Sequence, residues 1–327
     1  MRRELLVSVA LGGTLLAGTA ASAQEKLAEG MVIYFQMGGS AGGGATLPRT
    51  NGARAAAEAF GVDLREQYSN WAPETMLDQF REAVAGSPDC IEIMGHPGED
   101  AWEPLVADAR EQGIVVTSGN ASIPRLHERY QADGFGYVGV ELYAGGWLTG
   151  KQMVEQGGLQ AGDKAVVYGH FSSGRRQSAD GLADALRDAG LEVDELVISA
   201  EVDADFSQAV PVITAYLDAN PDVKAIGTQH GGVTGVFAQA LQAAGKAPGE
   251  IVAGGIDLAP ATIDGLQDGY VTVTLDQQLY LQGFLPVVQC VLSKKYGITG
   301  WSVNTGGGVV TPETIKDLVP LIEGGIR

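Results

Sequence analysis

From residue 30 onward the chain alternates short runs of β-branched and aliphatic residues with longer stretches whose apolar positions recur every three to four residues. The short runs at 31–35, 90–94, 114–117, 165–168, 196–198, 225–228 and 251–255 predict strands. Between them, Met76, Leu77, Phe80 and Val84 fall at i, i+1, i+4 and i+8, and Leu182, Ala185, Leu186 and Ala189 at i, i+3, i+4 and i+7. Each set lines one helix face. Ala209, Ile213, Tyr216 and Leu217 repeat the arrangement, as do Val236, Phe237, Ala240 and Leu241. Strand and helix in alternation are the pattern of βαβ units and a parallel sheet. The series runs through two rounds, one before about Tyr137 and one after. The expected fold is α/β: two doubly wound parallel-sheet lobes with a ligand cleft between them. Residues 24–136 with 275–300 are assigned to the N-terminal lobe, and 137–274 with 301–327 to the C-terminal lobe.

The first 23 residues break the pattern. Arg2 and Arg3 precede an apolar stretch over 5–17, and Ala21, Ser22 and Ala23 make a small-residue cleavage pattern before Gln24, which together read as a secretory signal peptide. The stretch is shorter than the roughly 20 residues a membrane span needs, and Gly12, Gly13 and Gly18 weaken it further. No Cys stands near the cleavage site to carry a lipid anchor. The expected location is therefore the periplasm, with the leader cleaved near Ala23 and Gln24.

Composition narrows the partners. The 327 residues are 45% apolar and 19% charged, which fits a globular protein with room for two domains. Lys and Arg total 21 against 40 Asp and Glu, a net charge of −19 with no basic run to offset it. That balance argues against nucleic acid as a partner and against direct membrane insertion. The two cysteines, Cys90 and Cys290, cannot form a disulfide framework, and neither has a Cys or His at metal-ligand spacing. They read as two buried thiols, with a single bridge left open in an oxidising compartment.

Three motif matches fail on their context. Residues 145–151 read GGWLTGK, the spacing of a phosphate-binding loop, but Gln152 follows where a Ser or Thr hydroxyl is needed, and the stretch has a helical pattern. Its glycines suit close helix packing better. Residues 38–42 fit the G-x-S-x-G nucleophile elbow around Ser40, yet the segment runs on through Gly43, Gly44 and Pro48 as a long loop instead of entering a helix. The glycines there could instead let backbone N–H groups approach a ligand. His96, His127, His170 and His230 are too scattered for a zinc motif, so no metal and no cofactor are expected.

The residues after the strands are more informative, because ligands of open α/β sheets bind beyond the carboxyl ends of parallel strands. Gln36, Asn70 with Trp71, His96 and Asn120 occupy those places in the first round; His170 with Phe171, Gln229 with His230, and Asp257 do so in the second. Taken singly, each could equally be a helix cap or a loop former. Recurring at one end of the sheets, amides and carboxylates for hydroxyls, with rings for C–H faces, suit a neutral polyhydroxylated ligand.

At this point the chain resembles the ribose/galactose type of periplasmic sugar-binding proteins, the soluble receptors of ABC importers. The resemblance rests on Gly113-Ile114-Val115-Val116-Thr117 ending at Asn120, Tyr137-Val138-Gly139, Ala204-Asp205-Phe206, Asn220-Pro221-Asp222-Val223-Lys224-Ala225-Ile226, Gly255-Ile256-Asp257 and Thr274-Leu275-Asp276-Gln277, in the family's order. It implies that Asn120 replaces an Asp that binds sugar hydroxyls, that Phe206 packs on the sugar, and that Asp257 and Gln277 keep the second-lobe carboxylate and the hinge amide. His230 replaces a hydroxyl-binding Asn. Ser178 stands where the family has an Arg, with Arg175 and Arg176 just before it. The first loop, 36–51, is longer than usual and lacks the usual aromatic pair. The ligand-binding set is accordingly expected to be Gln36, Trp71, His96, Asn120, Phe171, Arg175, Arg176, Phe206, His230, Asp257 and Gln277.

The resemblance also implies binding without catalysis. Three crossings, near 121–137, 257–275 and 297–304, would let a monomer close on a small neutral sugar or polyol and then dock on an ABC permease in the membrane. Two alternatives remain: a periplasmic sensor that presents a sugar to a membrane receptor, and a secreted hydrolase acting through Ser40. A cytoplasmic repressor is set aside, because the leader stands where a DNA-binding helix-turn-helix would have to be.

Overall fold

The structure, a computed structural model, describes residues 26–171 and 176–327. The expected leader and Arg175 lie outside the described residues. The N-terminal lobe begins with β1 (Val32–Gly38), α1 (Leu47–Phe60), β2 (Asp63–Tyr68), α2 (Pro73–Ala85), β3 (Cys90–Met94), α3 (Glu99–Glu111), β4 (Val115–Asn120), α4 (Pro124–Tyr130) and β5 (Tyr137–Gly139). The C-terminal lobe follows as α5 (Leu142–Gly157), β6 (Lys164–Gly169), α6 (Arg176–Asp188), β7 (Glu192–Val197), α7 (Ala200–Ala204), α8 (Ala209–Ala219), β8 (Val223–Gly227), α9 (Gly231–Ala243), β9 (Val252–Ile256), α10 (Pro260–Gln267) and β10 (Val273–Asp276). The chain returns to the first lobe as α11 (Leu279–Tyr296) and β11 (Ser302–Asn304), then adds β12 (Gly308–Val310) and α12 (Ile315–Glu323) to the second.

Both lobes have the same plan. One sheet runs β2-β1-β3-β4-β5-β11 and the other β7-β6-β8-β9-β10-β12, each six-stranded. All pairs are parallel except β10 with β12. Two rounds of the βαβ pattern thus fold as two doubly wound lobes. The periodic positions supply the cores: Met76 and Phe80 pack with Ile91, Ile93 and Trp102 in the first lobe, and Ile213, Leu217, Phe237, Ala240 and Leu241 pack together in the second. Among the described residues no helix is long and apolar enough to cross a membrane.

Hydrogen bonding moves the lobe boundaries. β5 pairs with β4 and β11 in the first sheet, and β10 pairs with β9 in the second. The crossings therefore shrink from the broad segments read in the sequence to residues 140–141, 277–278 and 305–307. Short three-residue strands such as β5 and β11 carry too little pattern to mark a boundary in advance.

In each lobe two helices pack closely through facing glycines. Gly146 of α5 meets the backbone of Ser178 on α6, and Gly181 of α6 meets that of Tyr143. In the first lobe Gly52 of α1 meets Tyr280 of α11, and Gly283 meets Arg49, in the same geometry. The GGWLTGK segment accordingly lies within α5 as a packing face. The Ser40 segment is not an elbow either, since α1 starts only at Leu47.

One expectation is corrected outright. Cys90 and Cys290 are joined by a disulfide that ties β3 to α11. The sequence places the two residues 200 positions apart, and only the return of α11 to the first lobe brings them together.

Candidate functional site

The three crossings follow the carboxyl ends of β5, β10 and β11, so the loops beyond the parallel strands are where the lobes meet. Gln282, one turn into α11 and fully buried, bonds the second and third crossings. Its Oε1 accepts from Asn120 Nδ2 and from Arg49 Nη2, each at 3.0 Å. Its Nε2 donates to the Gln277 carbonyl at 3.2 Å and to Thr305 Oγ1 at 3.0 Å. Gln278 Nε2 donates to the Thr305 carbonyl, and the Glu141 N–H to Asn304 Oδ1, so the crossings are bonded to one another.

On the N-terminal wall, Trp71 is left 38% exposed by the loop after β2. Its indole packs against Gly38 and Gly39, where a Cβ at Gly39 would come within 2.7 Å of Nε1. The glycine-rich loop is thus needed to seat the ring, and Gly38 adds a φ of +89° that other residues rarely adopt. The His96 ring is 5.4 Å from that of Trp71, and the Arg49 guanidinium lies 5.8 Å over the indole. Arg49 itself is buried and also donates to the Met37 carbonyl at 2.9 Å.

On the C-terminal wall, Asp257 follows β9 with a left-handed φ of 73° and accepts from Gln277 Nε2 at 2.7 Å. It is not the cap of the next helix, because the N-cap position of α10 is Ala259. Gly231 presses against Asp257 Oδ2, which places His230 next to the carboxylate. His230 is the N-cap of α9, its Nδ1 accepting from the Gly232 N–H at 3.2 Å. The Phe206 ring covers it at 4.7 Å, and the His170 ring lies at 5.4 Å. A continuous strip of rings and amides therefore runs from His96 and Trp71 through Arg49, Gln282, Asn120 and Gln277 to Asp257, His230 and Phe206.

The charges on this strip are nearly balanced. Burial pushes Arg49 down to about 10, opposed by the negative charges of Glu92 and Asp257, so it remains a cation at neutral pH. Glu92 on β3 is fully buried, and burial raises its carboxyl well above the usual range, against the pull of the Arg49 charge. Asp257 is a second counter-charge of Arg49, on the opposite wall. Such a pair presents donors and acceptors to a ligand without demanding that the ligand carry charge.

Not every expected residue joins the strip. Gln36 is wholly buried, with Nε2 donating to the Met76 carbonyl and Oε1 accepting from the Met94 N–H, so it ties β1 to its neighbours. Phe171 is buried in the apolar cluster of Met153, Leu182 and Val252. Arg176 bonds Asp180 and the Phe171 carbonyl on the outside of α6. Arg49, Gln282 and Asp203 are functional candidates the sequence reading missed, and His170, singled out after its strand, was left out of the expected ligand-binding set. Arg49 is the third residue of a helix that begins with Leu-Pro, and nothing in the sequence marks its burial, which α11 creates.

Comparison with known proteins places the architecture. Residues 48–292 match the family model described as a periplasmic binding protein domain. The chain is 28% identical over 254 residues to the xylose/arabinose-binding protein XylF of Sulfolobus acidocaldarius, an alignment covering 74% of this chain and 61% of that protein. The chain thus spans under two thirds of that relative's length. Among solved structures, a carbohydrate transporter from Acidothermus cellulolyticus 11B in complex with myo-inositol superposes with a TM-score of 0.73 at 21% identity, over 91% of this chain and 99% of the other. An ABC transporter solute-binding protein from Burkholderia graminis C4D1M in complex with D-arabinose gives 0.73 at 21% identity, over 88% and 96%.

Proposed function

The chain belongs to the periplasmic binding protein domain family, and on that premise we propose that it is the periplasmic receptor of an ABC importer, binding a neutral monosaccharide or sugar alcohol between its lobes without catalysing a reaction. The observation that carries this reading is the strip across the hinge, in which Asp257, Gln277 and Asn120 supply acceptors and donors while Trp71 and Phe206 supply ring faces. Hydroxyls satisfy both needs at once: each donates to a carboxylate and accepts from an amide, while ring C–H groups pack on aromatic faces. The balance of Arg49 against Asp257 favours an uncharged ligand over a phosphosugar or an amino acid. XylF is named for xylose and arabinose, and the two solved structures hold myo-inositol and D-arabinose, which points the search toward pentoses and cyclic polyols.

Closure would work by differential affinity. The open protein contacts ligand through one wall; the closed one adds the other and expels water, so ligand shifts the population toward the closed state. The three short crossings allow such a rotation with few backbone angles changed. The closed monomer, freed of its leader in the periplasm, would then be what the permease recognises. A thermal-shift panel of pentoses, hexoses, their alcohols, inositols, phosphosugars and amino acids tests the ligand class. Binding to the native state raises stability by about 3 to 4 kcal/mol at a few hundred-fold excess over Kd. A melt shifted only by anionic ligands or amino acids would overturn the reading.

A further inference from the structure

The sequence scatters four histidines, but the fold gathers two of them with one carboxylate. His170 follows β6, Asp203 lies on α7 and His230 caps α9. Both imidazole Nε2 atoms stand 3.2 Å from Asp203 Oδ1, and the three potential ligand atoms lie within 4.8 Å of one another. We propose that His170, Asp203 and His230 form a divalent transition-metal site on the C-terminal wall, which shares His230 with the strip proposed to hold sugar.

Geometry and donor chemistry support the assignment. A tetrahedral ion with bonds near 2.0 Å has ligands about 3.3 Å apart, so the two His–Asp edges already match that spacing. The side chains of His170 and His230 are 13% and 12% exposed and therefore held in place, whereas Asp203 at 45% is free to adjust and close the set. Two imidazoles and one carboxylate suit zinc, cobalt or nickel; calcium and magnesium prefer all-oxygen sets. Three protein ligands leave at least one position for water or a ligand oxygen.

Without metal, protons hold the same arrangement. Nδ1 of His230 accepts the Gly232 N–H, which puts the ring proton on Nε2 and directs it to Asp203. Ligation through Nε2 moves that proton to Nδ1 and gives up a cap bond 3.2 Å long, a weak contact to exchange for a metal–nitrogen bond. Phe206 covers His230 from the side, which limits water access to that ligand.

The test is calorimetric titration of the chelator-treated protein, purified after export, with Zn²⁺ in a non-coordinating buffer without sugar, repeated with Co²⁺ to read the ligand field in the visible spectrum. The expected result is one ion per chain with a dissociation constant in the micromolar range or tighter. Asp203→Asn and His170→Gln should each weaken it roughly tenfold or more while leaving the melting temperature of the metal-free protein within a degree or two. Asp203 is half exposed, so its variant keeps the test valid even if the His170 variant folds poorly. Absence of saturable one-to-one binding, unchanged affinity in Asp203→Asn, or equal binding of Ca²⁺ would overturn the proposal. With no sugar present, the outcome is independent of the transport reading.

Discussion

Gln277 Nε2 donates to Asp257 Oδ1 at 2.7 Å, and this bond joins the second crossing to the C-terminal wall of the cleft. From Gln277 the connection continues through its carbonyl to Gln282, and from Gln282 to Arg49, Asn120 and Thr305. One buried amide of the N-terminal lobe thus contacts the second and third crossings and both polar groups of its own wall. The carboxylate that would receive ligand hydroxyls is in this way oriented by the hinge that has to rotate.

Gln282→Ala should loosen that connection. It leaves Arg49 and Asn120 short of an acceptor in a buried setting, which costs about 1 to 3 kcal/mol for each group left unsatisfied. The expected outcome is a lowered melt and a larger radius of gyration without ligand, measured by small-angle scattering. An unchanged scattering profile together with an unchanged melt would show that the bonds are incidental.

Trp71 and Gln36 separate a ligand contact from a structural one. Trp71→Ala removes a half-exposed ring from the N-terminal wall and should weaken sugar binding by about 1 to 3 kcal/mol with little effect on the melt. Gln36→Ala should do the opposite: the Met94 N–H and the Met76 carbonyl lose their partner, and stability falls by about 1 to 3 kcal/mol while affinity changes less. Titration calorimetry beside ligand-free melts distinguishes the pair.

The disulfide should matter for stability alone. Cys90 is at the amino end of β3, opposite to the strand ends that meet the hinge, and Cys290 is three turns into α11. Closing a loop of 200 residues stabilises by about 3 to 5 kcal/mol through the unfolded state. The double variant Cys90→Ala with Cys290→Ala should lower the melting temperature by several degrees and leave sugar affinity within about twofold. A large loss of affinity would mean that the bridge positions the wall.

Glu92 gives the stability of the protein a pH dependence of defined sign. Its carboxyl is raised in the folded state by burial, so the folded protein binds a proton that the unfolded chain releases. Stability attributable to this group is complete below the unfolded carboxylate range, near pH 4.5, and declines as pH rises toward the folded value. Glu92→Gln keeps the shape and removes the titration. It should raise the melt at pH 7 and change it little at pH 4; an equal shift at both would contradict the assignment.

Much of the frame was legible in advance because buried parallel strands leave continuous apolar runs. β3 is such a run and coincides with the residues read as a strand, 90–94. β2, with the sequence DLREQY on a sheet edge, is largely polar and was invisible to the same criterion. The candidate site was legible as strand-end positions, at Asn120 and after β9 at Asp257, and as a ring after β2 at Trp71. It failed for Gln36 and Phe171, whose strand-end positions point into the lobe. It also failed for Arg49 and Gln282, adjacent only because α11 returns to the first lobe, and for the His170–Asp203–His230 group, which the neighbouring strands β6, β7 and β8 bring together. Long-range proximity of this kind leaves no trace in local spacing.

The central claim is that Asp257 holds a neutral sugar in the cleft, and the most direct measurement is titration calorimetry of the best pentose or polyol against Asp257→Ala. Removing the carboxylate leaves buried ligand hydroxyls unpaired and breaks a charge-assisted bond, which predicts a loss of about 2 to 4 kcal/mol, roughly 30- to 1000-fold in Kd. The ligand-free melt should fall by less than this, since the cap position of α10 belongs to Ala259 and the unliganded protein loses only the bond from Gln277 and part of the counter-charge of Arg49. Unchanged affinity with a lowered melt would contradict the account and assign Asp257 to the fold alone.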